Sequence, residues 1–180
     1  MNLPHGLRVL AVCIALAATQ QAAAFDSSSL ELGTGAHTRL ARFGLQWKWE
    51  QSWWKSGGTH LTGYWDATLA YWRGNRYQNV PGARQSITAI GITPVFRFEK
   101  VSGKGTYVEA GVGAHLLSHL YDNGGRRLST RFQFGDHIAV GYVFDNGLDL
   151  KLKLQHFSNG SIKKPNDGVN FAAISASYPF

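Results

Sequence analysis

The feature that most constrains this chain is an alternation of apolar and polar residues with a period of two. Between residues 41 and 53, apolar side chains such as Phe43 and Trp47 take the odd positions, and polar ones such as Arg42 and Gln46 take most of the even positions. Because successive side chains of a strand point to opposite faces, this pattern predicts a strand with one apolar face. Similar patterns cover residues 61–73, 90–99, 107–116, 131–142 and 148–155. A weaker first strand near residues 30–36 and a last one at 169–180 bring the predicted all-β fold to about eight strands.

Two architectures fit such alternation, a soluble sandwich or lipocalin-like barrel and a barrel in a membrane. Charges and glycines recur on the polar face of nearly every strand, which favours a polar lumen. The chain ends on Phe180 with Tyr178 two residues before it, which resembles the assembly signal of bacterial outer-membrane proteins. Aromatic residues near predicted strand ends resemble membrane girdles: Trp47, Trp49, Trp53, Trp54, Tyr71 and Trp72. We therefore predict an eight-stranded antiparallel transmembrane β-barrel of the bacterial outer membrane.

Residues 1–24 have the order of features typical of a secretory signal peptide. Arg8 supplies the positive charge, an apolar run follows, and small residues end the segment before Phe25. The sequence thus predicts a signal peptide at 1–24 and one barrel domain at 25–180. Cys13 is the only cysteine, so the mature chain has no predicted disulfide.

The formal net charge is +7, and removal of Arg8 leaves about +6. A secretory signal argues against nucleic acid as the anionic partner and favours a membrane surface. Cations concentrate in the predicted external loops, namely Arg73, Arg76, Arg84, Arg126, Arg127, Lys163 and Lys164. These residues are either ordinary solvated loop charges or contacts to anionic head groups of outer-membrane lipids, and we favour the second interpretation modestly.

The end of the seventh predicted strand carries the strongest sign of chemistry. His156 and Ser158 continue the outward row of leucines that includes Leu152 and Leu154. A polar pair facing lipid is costly, and a histidine within reach of a serine can act as its general base. A histidine and a serine two apart can also be an unrelated pair at the membrane interface, but their place on the leucine row favours nucleophilic attack on a substrate that is itself part of the membrane.

Residues 156–159 (His-Phe-Ser-Asn) and 164–168 (Lys-Pro-Asn-Asp-Gly) resemble the lipid A 3-O-deacylases of the PagL family. The resemblance implies a catalytic pair at His156 and Ser158 and an ester hydrolase that acts at the 3-position of lipid A in lipopolysaccharide. It also implies a possible homodimer. Asn159 and Asn166 match supporting or oxyanion-hole positions, although ordinary turn residues are an equal alternative.

The family's third catalytic residue is a glutamate on the last strand, and the matching position here is Asn170. An asparagine can orient a histidine but cannot stabilise an imidazolium as a carboxylate does. Pairing Phe144 with Leu148 across the predicted turn sets Asp136 opposite His156. Asp136 is therefore a second candidate for the third member, with a solvated boundary carboxylate as the alternative.

The sequence contains no pattern for a metal site or a cofactor. His115 and His119 are four apart, a spacing that does not form a metal pair on a strand. Two other functions stay open at this stage. One is an outer-membrane phospholipase with the same Ser-His pair, and the other is a non-enzymatic structural or adhesion barrel.

Overall fold

The structure is a computed structural model that describes residues 25–180. Its eight long strands are β1 (Ser27–Gly35), β2 (Thr38–Lys48), β3 (Thr59–Gly74), β4 (Gln85–Lys100), β5 (Gly105–Leu117), β6 (Phe132–Val143), β7 (Asp149–Ser158) and β8 (Val169–Pro179). Three short strands lie in connections, at Trp53–Ser56, Asp122–Asn123 and Arg126–Arg127. The predicted signal peptide at 1–24 lies outside the described residues and stays a prediction.

The strands form one closed antiparallel sheet. Each strand pairs with its neighbours along the chain, and β1 also pairs with β8, where Leu32 lies opposite Ile174. In residues 25–180, closure gives each of the eight long strands a partner on both sides, so backbone groups bond within the sheet. In residues 25–180, no helix is long and apolar enough to cross a membrane. The predicted eight-stranded all-β barrel is confirmed.

Side chains alternate between the two faces of the wall as the sequence predicted. Outward residues such as Leu69, Ile138 and Leu152 are more than half exposed, at 53%, 61% and 62%. Inward neighbours such as Arg42 and Lys153 are buried. The barrel thus has an apolar outer surface around a filled interior.

One part of the interior is held together by charge. The Glu109 carboxylate accepts hydrogen bonds from Lys151 Nζ at 2.7 Å, Arg97 Nη2 at 2.8 Å and the Tyr64 hydroxyl at 3.1 Å. A second buried carboxylate, Glu31, pairs with Arg42 and with Lys153. Because both carboxylates are buried with cationic partners, these clusters tie together strands that are distant in sequence.

The interior is apolar at the end of the barrel that carries connections 75–84, 118–131 and 159–168, which we call the mouth. Trp72 packs against Phe157 at 4.7 Å and Phe171 at 5.0 Å between ring centroids. Trp72 is only 1% exposed, so its prediction as a girdle residue was wrong. Trp72 belongs to the inward row of β3, the row of even-numbered residues that also contains Asp66 and Thr68.

The predicted extension of the second strand to residue 53 was also wrong. β2 ends at Lys48, and residues 53–56 form a separate strand against β3. The Trp49 N–H still donates to the Gly63 carbonyl at 2.9 Å, but the regular pairing of β2 with β3 ends there. The Trp49 ring packs on Phe96 with 4.9 Å between ring centroids. Alternation alone does not reveal this break because Trp49 and Trp53 keep the phase of the row.

We expect Glu109→Gln to destabilise the barrel by about 3–5 kcal/mol, because Arg97 and Lys151 would lose the negative charge they share in a buried site. A urea titration of the refolded protein in detergent measures the change, with the folded fraction read from the heat-dependent mobility of the barrel on a gel. Glu50→Gln is the matched control at an exposed residue. Equal urea midpoints for the two variants would contradict the prediction.

Candidate active site

The candidate site lies at the mouth end of β7, on the outer surface of the wall. Leu152 and Leu154 are exposed, and His156 and Ser158 continue their row with partial exposure. The intervening Phe157 points inward and is buried in the apolar cluster around Trp72. The alternation of β7 therefore fixes both polar side chains on the outside while their strand is anchored from the inside.

His156 lies between two polar residues on the neighbouring strands. Asn170 of β8 and Asp136 of β6 are its direct cross-strand partners. The predicted register, with Phe144 bonded to Leu148 and Asp136 opposite His156, is thus confirmed. His156, Asn170 and Asp136 line one open outward groove of about 960 Å³, whose other lining residues are mostly apolar.

A short hydrogen bond fixes the histidine ring. Nδ1 of His156 lies 2.5 Å from Oδ1 of Asn170. A carbonyl oxygen only accepts, so in the neutral ring Nδ1 carries the hydrogen and Nε2 keeps the lone pair. The ring is therefore held in the tautomer whose free nitrogen can take a proton.

Ser158 is two residues further along the same row, about 6.7 Å from His156 between Cα atoms. Its Oγ accepts a hydrogen bond from the Gly160 N–H at 3.4 Å. Among the hydrogen bonds of residues 25–180, none joins Ser158 to His156. Because Oγ accepts the bond from Gly160, the hydroxyl hydrogen of Ser158 has no acceptor among the hydrogen bonds of residues 25–180.

Asn159 organises the loop that follows the strand. It is fully buried, and its Nδ2 donates to the Lys163 carbonyl at 2.7 Å and to Ser129 Oγ at 3.3 Å. Its backbone N–H donates to Oδ1 of Asn166 at 2.9 Å. The NH₂ group of Asn166 has no acceptor within the described part of the chain, so it is a donor still available near Ser158.

Gly168 is a site residue to which sequence reasoning gave no role. Its φ is +67°, and a Cβ there would lie 2.5 Å from Cε1 of His156. Only glycine combines this backbone conformation with such a close approach to the ring. One interpretation of the sequence made the nearby Asn166 a turn residue, but nothing in the sequence indicated that Gly168 contacts the histidine.

All six predicted site residues lie in one region at the mouth, although they come from three strands and one loop. Residues 25–180 contain no group of three or more His, Cys, Asp or Glu side chains arranged to hold a metal ion. The arrangement offers a hydroxyl, an oriented imidazole, a carboxylate and amide donors beside an apolar groove. These are the groups that ester hydrolysis by an activated serine requires.

Comparison with known proteins gives a consistent result. The model of the family "Lipid A 3-O-deacylase (PagL)" matches residues 39–179. A lipid A deacylase from Pseudomonas aeruginosa is 34% identical over 173 residues, 94% of this chain and 96% of that protein. One from Bordetella bronchiseptica is 30% identical over 176 residues, 96% of this chain and 93% of that protein.

A solved structure agrees as well. The crystal structure of the outer-membrane enzyme PagL superimposes with a TM-score of 0.74 at 30% identity, over 86% of this chain and 99% of that one. Both the sequence match and the barrel match extend over nearly the whole described chain. The chain therefore belongs to the lipid A 3-O-deacylase (PagL) family, and it is an ester hydrolase of the bacterial outer membrane.

Proposed function

We propose that this protein hydrolyses the ester-linked acyl chain at the 3-position of lipid A, with Ser158 as nucleophile and His156 as general base on the lipid-facing wall. The observation that carries the proposal is the bond from Nδ1 of His156 to Asn170, which leaves Nε2 free to take a proton on the same outward row as Ser158. The outward leucines below the pair suit an acyl chain, so the scissile ester of a lipid would lie at the height of the two polar residues.

The reaction follows from these positions. Ser158 Oγ attacks the ester carbonyl carbon as its proton passes to Nε2 of His156. The tetrahedral intermediate collapses, the sugar oxygen leaves, and His156 returns the proton to that oxygen. Water then attacks the acyl-serine with His156 again as base, which releases the fatty acid and restores the serine.

Two amide groups support the oxyanion that forms on the carbonyl. The free NH₂ group of Asn166 is a side-chain donor, and the Gly160 N–H already bonds to Ser158 Oγ. Asn159 supports the oxyanion only indirectly. Its buried side chain holds the loop through the Lys163 carbonyl, and its N–H donates to Oδ1 of Asn166 and so positions that amide. A homodimer, which the family resemblance implies, stays a prediction.

We assign the third catalytic function to two residues. Asn170 orients the ring and fixes its tautomer, while Asp136, the cross-strand partner on the other side, supplies the negative charge that favours the imidazolium. An aspartate at an outward position of β6, in a row with Phe134 and Ile138, is otherwise expensive in a membrane. This division of the third catalytic function between Asn170 and Asp136 differs from the family pattern, in which one glutamate has both functions.

We expect Ser158→Ala to lower deacylation by about a thousandfold or more, because no other hydroxyl replaces the nucleophile. Refolded protein in detergent is incubated with lipopolysaccharide, and lipid A is read by mass spectrometry for loss of one acyl chain. Ser161→Ala, at an exposed hydroxyl of the next loop, is the control. Phospholipid in a parallel sample tests the phospholipase alternative, and unchanged lipid A with the folded wild type would refute the proposal.

We expect Asp136→Asn to lower kcat/KM about tenfold, since the imidazolium would lose the carboxylate of its cross-strand partner. Asn170→Glu restores a carboxylate on the opposite side and should raise kcat/KM by a similar factor. In the Asn170→Glu background, Asp136→Asn should then have little effect, a coupling that a double-mutant cycle measures. Asp145→Asn at the far turn is the control. Full activity of Asp136→Asn alone would mean that Asp136 is only a solvated carboxylate.

A further inference from the structure

Arg126 lies on a small hairpin at the mouth, formed by Asp122–Asn123 and Arg126–Arg127. Its Nη1 donates to the carbonyl oxygens of Asp167 at 2.8 Å and Gly168 at 3.4 Å. Gly168 is the residue that packs closely against the ring of His156. The Arg126 guanidinium is therefore bonded to a residue that contacts the proposed general base.

The anchor is rigid because hairpin and loop are bonded in both directions. The Arg127 N–H donates to the Asp167 carboxylate at 2.7 Å, and the Asp167 N–H donates to the Arg127 carbonyl at 3.0 Å. These two hydrogen bonds fix the point from which the Arg126 side chain extends. A cation held in this way has already lost much of the freedom that ligand binding would remove.

Most of the guanidinium is free. Only Nη1 of Arg126 has acceptors among the hydrogen bonds of residues 25–180, so the N–H groups on Nη2 and Nε remain available. The side chain is exposed. A planar guanidinium presents paired donors that match the oxygens of a phosphate, which a lysine ammonium does not.

The surroundings are cationic as well. Lys163 and Lys164 are exposed on the loop that leads from Ser158 to Gly168. Two carboxylates lie close by: Asp122 pairs with Arg127 across the hairpin, and Asp167 accepts from the Arg127 N–H. Neither carboxylate forms an ion pair within residues 25–180. An anion at Arg126 would thus meet an excess of positive charge.

We propose that Arg126 forms a phosphate subsite, which binds a phosphate monoester carried by the same sugar as the scissile 3-ester. This inference rests on the proposed deacylase function. Lipid A is a phosphorylated glucosamine disaccharide, and its reducing-end sugar carries a phosphate at position 1 and an ester at position 3. Both substituents belong to one ring, and the guanidinium bonds to the residue that packs on His156, so one sugar can reach both groups. The bound phosphate orients the sugar so that its 3-ester, and not another ester of the lipid, meets Ser158.

The test compares two substrates on the refolded full barrel, lipid A with both phosphates and lipid A that lacks the phosphate at position 1. Nonionic detergent and a phosphate-free buffer leave the lipid as the only source of phosphate. We expect the wild type to favour the fully phosphorylated substrate by about 10- to 100-fold in kcat/KM. In Arg126→Gln this ratio should fall to near one, and Arg126→Lys should retain part of it. Lys55→Gln, an exposed cation at the far end of the barrel, should keep the wild-type ratio.

The ratio of kcat/KM between the two substrates distinguishes phosphate binding by Arg126 from support of the Gly168 loop by Arg126. If Arg126→Gln lowers kcat/KM for both substrates by the same factor, Arg126 only holds the Gly168 loop and the subsite is refuted. Equal wild-type rates on the two substrates refute it as well, while the deacylase function stands. If the folded wild type hydrolyses neither substrate, the deacylase proposal itself fails and the subsite falls with it.

Discussion

The closed hydrogen-bonded ladder is the constraint on which the rest of the structure depends. In hydrocarbon, an unpaired backbone N–H or C=O costs several kcal/mol, so a sheet in a membrane has to close on itself. Closure fixes every register around the ring, including the one that sets Asp136 and Asn170 on either side of His156. The side-chain period of two then assigns each residue to the lumen or to the outer surface. A polar cluster on the outer surface is an exception to that assignment and calls for a chemical reason.

The interior supports this exception from behind. Phe157 and Phe171 alternate with the outward residues of β7 and β8, and both pack on Trp72 in the lumen. The strands that carry His156, Ser158 and Asn170 are thereby fixed by aromatic contacts at the mouth, while the charged cluster of Glu109 ties β7 to its neighbours deeper in the lumen through Lys151. Rigid strands keep Asn170 and His156 in register, so that the bond between them can hold a half-exposed ring in one orientation.

The alternation predicted the strand count and, with one short turn, the register of Asp136 with His156. The orientation of each face did not follow from the period of two and came from the charges and glycines on the polar rows. The alternation could not predict the apolar filling of the mouth, since an inward Trp72 and an outward girdle tryptophan look alike until the phase of β3 is fixed. The break after Lys48 was hidden because Trp49 and Trp53 continue the alternation beyond the end of the strand. Gly168 and Arg126 reach the site through loop conformation, and a sequence pattern has no period there to reveal which residues meet.

The division of function around His156 has a physical logic of its own. The amide of Asn170 carries no charge, so its oxygen can accept the bond from Nδ1 whether the His156 ring is neutral or protonated. A carboxylate at the same place would bind the imidazolium more strongly but would itself have to stay ionised at the edge of the lipid, where desolvation favours the neutral acid. With the charge at Asp136 on the opposite side, the orienting bond and the electrostatic stabilisation are independent of each other. In the proposed mechanism, Asn170 therefore determines which nitrogen accepts the serine proton, and Asp136 determines how readily it does so.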